Sequence, residues 1–204
     1  MSKKYKVEDI AKMKTQNESH LDNVTKLLFG SDKTAPRKIG PGFIDSLTSA
    51  LGSCESFTPR EFVELPIRNY DKIWPLCNMA SACTARMFAC DLAEGILEGV
   101  EDKRCWDAVA MSRKYANGKA ADEELALARE MADNVVSDAS GDRPPCLVAL
   151  YSTHQVASEA AYNIINFAAF NVMLDKQSIK ESNVFLESVI SNLLLRIEEE
   201  DQLK

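Results

Sequence analysis

Residues 146–174, CLVALYSTHQVASEAAYNIINFAAFNVML, decide the fold class of this chain. Apolar or small residues recur along this stretch at the 3.6-residue spacing of an α-helix, over roughly seven turns. From Ala157 to Leu174 almost the whole circumference is apolar or small, which is typical of a helix buried on all sides. The stretch therefore predicts one continuous helix at the centre of an all-α protein.

Proline and alanine divide the chain into two parts. Five of the seven prolines precede residue 76, whereas 20 of the 23 alanines lie between Ala80 and Ala169. Because proline interrupts helices and alanine favours them, we predict short pieces followed by long helices. The chain is predicted to be one domain, residues 1–204, with an irregular basic segment of short helices over 1–70 and an Ala-rich core over 71–204. We expect this core to be a bundle of about four to five long helices.

Capping residues and glycines set the bounds of the predicted helices. We expect the acidic run at residues 198–201, which ends the last helix, to fray into solvent. The predicted helices are one from Leu21 to Leu28 closed by Gly30, one over 43–51 closed by Gly52, a short one after the Thr58–Glu61 capping box, one over about 71–98, one over about 103–116 closed by Gly118, one around 125–135, the long helix 146–174, and one after the capping box at Ser178.

Charge is distributed unevenly along the chain. The net charge is -7, but residues 1–40 carry nine basic and five acidic residues, so a +4 arm precedes a -11 body. Such an arm could bind an anionic partner. The acidic body could bind a basic partner, for instance a nuclease whose nucleic-acid groove it would block. The simpler interpretation is a solvated surface that keeps the protein soluble. Direct binding of nucleic acid by the whole surface is not expected.

The N-terminus and the cysteines indicate a cytoplasmic protein. No apolar region follows the first basic residues, and no stretch has the roughly 18 unbroken apolar residues of a membrane span. The six cysteines show no Cys-x-x-Cys and no Cys/His pair at zinc spacing. We expect them to be small buried residues rather than ligands.

The sequence lacks the arrangements that enzymes use. The two histidines, His20 and His154, form no Glu-x-x-His pair, and no phosphate-binding, dinucleotide-binding or hydrolase-elbow glycine motif is present. Cys146 follows two prolines, but no base is placed beside it. We therefore predict a non-enzymatic protein with no cofactor and no metal. An enzyme of unrecognised type, using His154 or Cys146, is the remaining alternative.

Residues 76–172 contain four helical elements in a characteristic order. A Cys/Ala-rich helix ends at Ala93-Glu94-Gly95-Ile96-Leu97, an Asp-x-Arg turn at Asp102–Arg104 opens an Ala-rich helix closed by Gly118, and Glu124–Ala128 and Thr153–Tyr162 mark the next two. This order resembles helical phage proteins and immunity-like proteins of bacterial toxin systems. The resemblance implies an all-helical adaptor or inhibitor that acts by binding and carries over no catalytic residue.

Two functions follow from these observations. The leading hypothesis is a protein-binding inhibitor or immunity-like factor, of phage origin, that acts against a host or toxin protein. The alternative is an anti-defence sponge for a small phosphorylated or nucleotide ligand, held by Lys33, Arg37 and Lys38 or by Arg104 and Arg143. A homodimer is also predicted, because the helix over 146–174 and the C-terminal helix together have more apolar surface than one layer of helices normally buries. The predicted binding residues are Asp102, Arg104, Trp106, Arg143, His154 and Glu159.

Overall fold

The computed structural model describes residues 3–15, 42–138, 143–176 and 178–203. Within these ranges the chain is all-helical, and the β pairing is limited to one isolated antiparallel bridge between Tyr5 and Phe57. The all-α prediction is therefore confirmed. The helices are α1 (Val7–Thr15), α2 (Gly42–Leu51), α3 (Pro59–Glu64), α4 (Asn69–Met79), α5 (Ala82–Ile96), α6 (Lys103–Ala116), α7 (Asp122–Asp138), α8 (Arg143–Ser152), α9 (Ala157–Lys176) and α10 (Ile179–Gln202).

Three short helices form the described N-terminal part; α2 and α3 were predicted, whereas α1 was not. Helix α2 is followed by Gly52 at φ +58°, a left-handed backbone that glycine adopts without strain. Before α3, the Thr58 hydroxyl accepts from the Glu61 amide and the Glu61 carboxylate accepts from the Thr58 amide. The predicted capping box is thus confirmed. The predicted helix from Leu21 to Gly30 lies outside the described residues.

The single helix predicted over residues 71–98 is wrong, because the chain forms α4 and α5 with a break at Ala80–Ser81. The hydroxyl of Ser81 accepts a hydrogen bond from the Thr84 amide at 3.1 Å and so begins a new helix. A serine inside an apolar pattern can cap a helix as well as continue one. The sequence pattern did not separate these two outcomes.

Replacing Ser81 with alanine is expected to lower the free energy of unfolding by about 1 kcal/mol, because the N-terminal amides of α5 lose their side-chain acceptor. Urea denaturation measures the difference. Ser191 is the matched control, since its hydroxyl donates to the Glu187 carbonyl on the exposed face of α10, in the middle of that helix. An equal loss in Ser81→Ala and Ser191→Ala would contradict the capping role.

Helices α6 and α7 have nearly the predicted bounds and run antiparallel. Gly118, at φ +66°, ends α6, and the turn brings the Tyr115 hydroxyl to 2.6 Å from Asp122 Oδ1. At the other end, Arg104 on α6 lies 3.3 Å from Asp138 on α7. The apolar stripe predicted from Leu125 to Val135 is buried.

The long helix predicted over residues 146–174 is also wrong, because it is divided into α8 and α9. In a continuous helix the Ser152 carbonyl would accept from the Val156 amide. That carbonyl instead accepts from Arg86 at 3.1 Å and from the Ser112 hydroxyl at 2.6 Å, while the Val156 amide donates to His154 Nδ1 at 3.2 Å. Partners from α5 and α6 therefore interrupt the helix.

The C-terminal part, α9, remains the central helix, as predicted. It packs against α4, α5, α8 and α10. Ala160, Ala161, Ile164 and Ile165 are fully buried. Its alanines face a helix, α5, whose Ala85, Ala89 and Ala93 are also buried, and small side chains let two helices approach closely.

The acidic end of α10 does not fray, contrary to the prediction. Glu198 accepts from Arg60 Nε at 2.8 Å, Glu200 from the Thr84 hydroxyl at 2.7 Å, and Asp201 from the Lys3 amide at 3.2 Å. These bonds tie the end of α10 to the first half of the chain. Among the described residues, no helix combines the length and apolar character needed to cross a membrane.

Candidate functional site

The structure distributes the six predicted binding residues among several places. Asp102 and Arg104 lie together at the start of α6, whereas His154 and Glu159 lie together where α8 meets α9. The Trp106 indole is half-buried and donates to the Val100 carbonyl at 2.9 Å, so it serves packing. Arg143 begins α8, but its side chain lies outside the described part of the chain, as do Lys33, Arg37 and Lys38.

The first place is an acidic cleft beside the start of α6, about 640 Å³ in volume. Asp102 caps α6 by accepting from the Arg104 amide at 2.9 Å, and its carboxylate also accepts from the Arg104 guanidinium at 2.8 Å. The Arg104 guanidinium therefore holds the pKa of Asp102 below its ordinary value. Four carboxylates line this cleft, those of Glu98, Glu101, Asp102 and Asp138.

An apolar groove of about 180 Å³ lies between α6 and α7, and Arg104 lines both this groove and the acidic cleft. Each helix contributes four residues at positions i, i+3, i+4 and i+7, the row that faces a packed neighbour. Leu127 and Met131 are 58% and 40% exposed there. We call this surface the α6–α7 groove; its residues are Arg104, Asp107, Ala108 and Met111 of α6 and Glu124, Leu127, Ala128 and Met131 of α7.

The second place is the α8–α9 break, which Arg86 organises from α5. The Arg86 guanidinium is buried, donates to the carbonyls of Ser152 and Gln155 at 3.1 and 2.8 Å, and lies over the Tyr115 ring at 5.0 Å. Burial lowers the pKa of Arg86. Arg86 thus fixes the position of the two intervening residues, Thr153 and His154.

His154 and Glu159 form a buried pair at this break. His154 is 8% exposed, and its Nε2 lies 3.1 Å from Glu159 Oε2. Its Nδ1 lies 3.2 Å from the Val156 amide nitrogen and 3.3 Å from the Val156 carbonyl oxygen, while Nε2 faces the Glu159 carboxylate. The pair holds the first turn of α9 against the break.

A second cleft, of about 520 Å³, opens between this break and the first half of α7. Asp122 and Glu123 stand at one end, and Arg129 and His154 stand further along. Burial lowers the pKa of Arg129, while Asp133 and Glu159 raise it. We call this the Arg129 cleft; it is separate from the α6–α7 groove and uses another face of α7.

The cysteines are mostly, but not all, buried. Cys77, Cys90, Cys105 and Cys146 are buried as predicted, whereas Cys54 and Cys83 are exposed. Cys146 lines the acidic cleft, next to the Cys105 thiol. Among the described residues, no three His, Cys, Asp or Glu side chains form a group that could hold a metal ion.

Sequence reasoning missed Arg86, Arg129, Leu127 and Met131. The two apolar residues were detectable, since they lie four apart on the side of α7 that the Leu125–Val135 stripe leaves to solvent. Arg86 and Arg129 gave no such signal, because their partners come from distant parts of the sequence.

Comparisons with protein-family models, with curated proteins and with solved structures give no match for this chain. The function is therefore argued from the geometry of these surfaces.

Proposed function

We propose that the chain is a non-enzymatic protein-binding factor, an inhibitor or immunity-like protein, that holds a basic amphipathic helix of its partner in the α6–α7 groove. The observation that carries this proposal is the groove itself. Two antiparallel helices present matching rows of residues to an open side, and no described helix covers them. A third helix with apolar residues at three- and four-residue spacing fits such a groove.

Apolar contacts would anchor the partner helix. Leu127 and Met131 stand one turn apart on α7, and Met111 lies opposite on α6. Leu127 and Met131 are exposed together, so they form a continuous apolar surface beside the buried stripe of α7. Covering these side chains removes apolar area from water without disturbing the core.

Charge complementarity selects a basic partner. Asp107 and Glu124 flank the groove, and the acidic cleft, which shares Arg104 with it, contains four more carboxylates. Arg104, the one basic residue that lines either surface in the described chain, is bonded to Asp102 and Asp138. Lysines or arginines that flank the apolar stripe of a partner helix would be attracted by the negative charge of these carboxylates. This attraction increases the association rate and disfavours acidic partners.

The resemblance to helical phage proteins and immunity-like proteins supports a role in blocking a host or toxin protein. A basic segment of a nucleic-acid-binding enzyme has the charge that this groove requires. The alternative of a phosphorylated ligand at Arg104 is less favoured, since that guanidinium is bonded to Asp102 and Asp138 and shares its cleft with Glu98 and Glu101. That alternative stays a prediction for Lys33, Arg37, Lys38 and Arg143.

Binding of a synthetic peptide tests the proposal. The probe is a fluorescent amphipathic helix of leucine and lysine, measured by anisotropy against the full chain, and its counterpart replaces every lysine with glutamate. We expect the lysine peptide to bind and the glutamate peptide to bind about tenfold or more weakly, because like charges meet the carboxylates of the groove. Leu127→Asp should weaken binding of the lysine peptide about tenfold or more.

Leu195→Asp is the matched control, since Leu195 is 53% exposed on α10, away from the groove. It should leave peptide binding unchanged. Equal weakening by the two variants would overturn the proposal. So would equal binding of the two peptides, or a dimer in sedimentation that Leu127→Asp disperses, because a second copy would then occupy the groove.

A further inference from the structure

Among the arginine side chains that the structure describes, two form no hydrogen bond to a carboxylate: Arg86, which bonds two backbone carbonyls, and Arg129. Within the described part of the chain Arg129 makes one hydrogen bond, to the Leu150 carbonyl at 3.5 Å, the long limit for such a contact. It makes none to a carboxylate. By contrast, five other arginines each hydrogen bond at least one carboxylate at 2.9 Å or less: Arg60, Arg68, Arg104, Arg113 and Arg196.

This arrangement places a half-buried cation in the lining of the cleft, where its remaining N–H donors face solvent. A guanidinium has five N–H donors in a planar fork that matches a carboxylate. Asp133 and Glu159 compensate part of its charge from a distance, but burial still lowers the pKa of Arg129. An anionic group bound in the cleft would satisfy the donors and restore the charge balance.

The other end of the same cleft has the opposite sign. Asp122 and Glu123 line it, and Asp122 lies seven residues before Arg129, on the same face of α7 and about 10 Å away along its axis. The Tyr115 hydroxyl donates to Asp122 Oδ1 and holds that carboxylate in place. A cation is favoured at this end and a carboxylate at the other.

Between the two ends, the cleft wall is formed by the apolar side chains of Leu125, Ala126 and Val156. The fixed residues of the α8–α9 break, held by Arg86, form the facing side. The wall would contact a short methylene chain. A volume of about 520 Å³ suits a small molecule.

We propose that the Arg129 cleft binds a small zwitterion of the free arginine or lysine type, with its carboxylate on Arg129 and its side-chain cation on Asp122 and Glu123. The site lies on another face of α7 from the α6–α7 groove and does not depend on the proposed protein partner. His154 and Glu159, paired beside Arg129, keep the α8–α9 break in register with α7.

Isothermal titration of the full chain at physiological salt tests this site with four probes: L-arginine, L-norleucine, which lacks the side-chain cation, agmatine, which lacks the carboxylate, and inorganic phosphate. We expect arginine to bind, and norleucine, agmatine and phosphate each to bind about tenfold or more weakly, since each loses a charge-assisted contact. The absence of arginine binding, or equal binding of arginine and agmatine, would overturn the proposal.

Two variants assign the ends of the ligand. Arg129→Gln should weaken arginine binding about tenfold or more, whereas Arg60→Gln, which removes an exposed arginine elsewhere, should not change it. Asp122→Asn keeps an acceptor for Tyr115 and should remove the preference for arginine over norleucine. Equal effects of Arg129→Gln and Arg60→Gln would contradict the assignment, as would an unchanged preference in Asp122→Asn.

Discussion

Replacing Arg86 with alanine is expected to lower the free energy of unfolding by about 3 kcal/mol or more. The substitution removes the donor that the buried Ser152 carbonyl shares with the part-buried Gln155 carbonyl, leaving the Ser112 hydroxyl as the donor to Ser152, and it removes a cation from the Tyr115 ring. It also opens a cavity in a site where the side chain is 2% exposed. Chemical denaturation followed by circular dichroism measures the loss.

The matched control is Arg113→Ala. Arg113 bonds Asp91 and Glu94 at the surface, so its loss should cost about 1 kcal/mol or less. Arg86→Lys, which keeps the charge and one donor nitrogen, should lower the free energy of unfolding by an intermediate amount. If Arg86→Ala were no more destabilising than Arg113→Ala, Arg86 would not organise the α8–α9 break.

Stability is expected to fall steadily as the pH rises above about 9. Burial raises the pKa of Cys77, Cys90 and Cys105 from an ordinary value of 9.0, for Cys105 to about 12. Burial likewise raises the pKa of Tyr70 and Tyr151. The unfolded chain therefore releases protons that the folded chain retains, so the stabilisation is complete below pH 9 and is lost as the pH rises further.

Urea denaturation from neutral pH to about pH 11 follows this loss. Cys77→Ala should flatten the slope by about 1 kcal/mol per pH unit, because one buried proton no longer distinguishes the two states. Cys83→Ala, at an exposed thiol, should keep the slope of the unaltered chain. Stability that does not change up to pH 10 would contradict the burial of these groups.

Local signals predicted the parts of the fold that depend on neighbouring residues. Asp102 and Gly118 bracket α6, and the Thr58–Glu61 capping box begins α3, because a cap acts within one turn of its helix. The break before α9 was not predictable in this way. Its cause is Arg86, which lies 66 residues before Ser152 in the sequence.

The candidate sites likewise divide into contacts between residues close in the sequence, which were predictable, and contacts between distant residues, which were not. Asp102 and Arg104 were predictable as a pair because they are two residues apart. His154 and Glu159 were predicted as binding residues but not as a pair, because their contact depends on the break before α9. The Arg129 cleft was not, since α7 and the α8–α9 break meet only in the folded chain. The α6–α7 groove was partly visible, in two apolar residues outside the buried stripe of α7.

The most direct test of the proposed function is a nuclear magnetic resonance titration of the isotope-labelled full chain with the leucine–lysine peptide. We expect the largest amide shifts to occur along the groove, at residues 104–111 of α6 and 124–131 of α7, and to disappear in Leu127→Asp. Shifts centred on α10, or spread evenly over the acidic surface, would contradict the claim that the α6–α7 groove receives the partner.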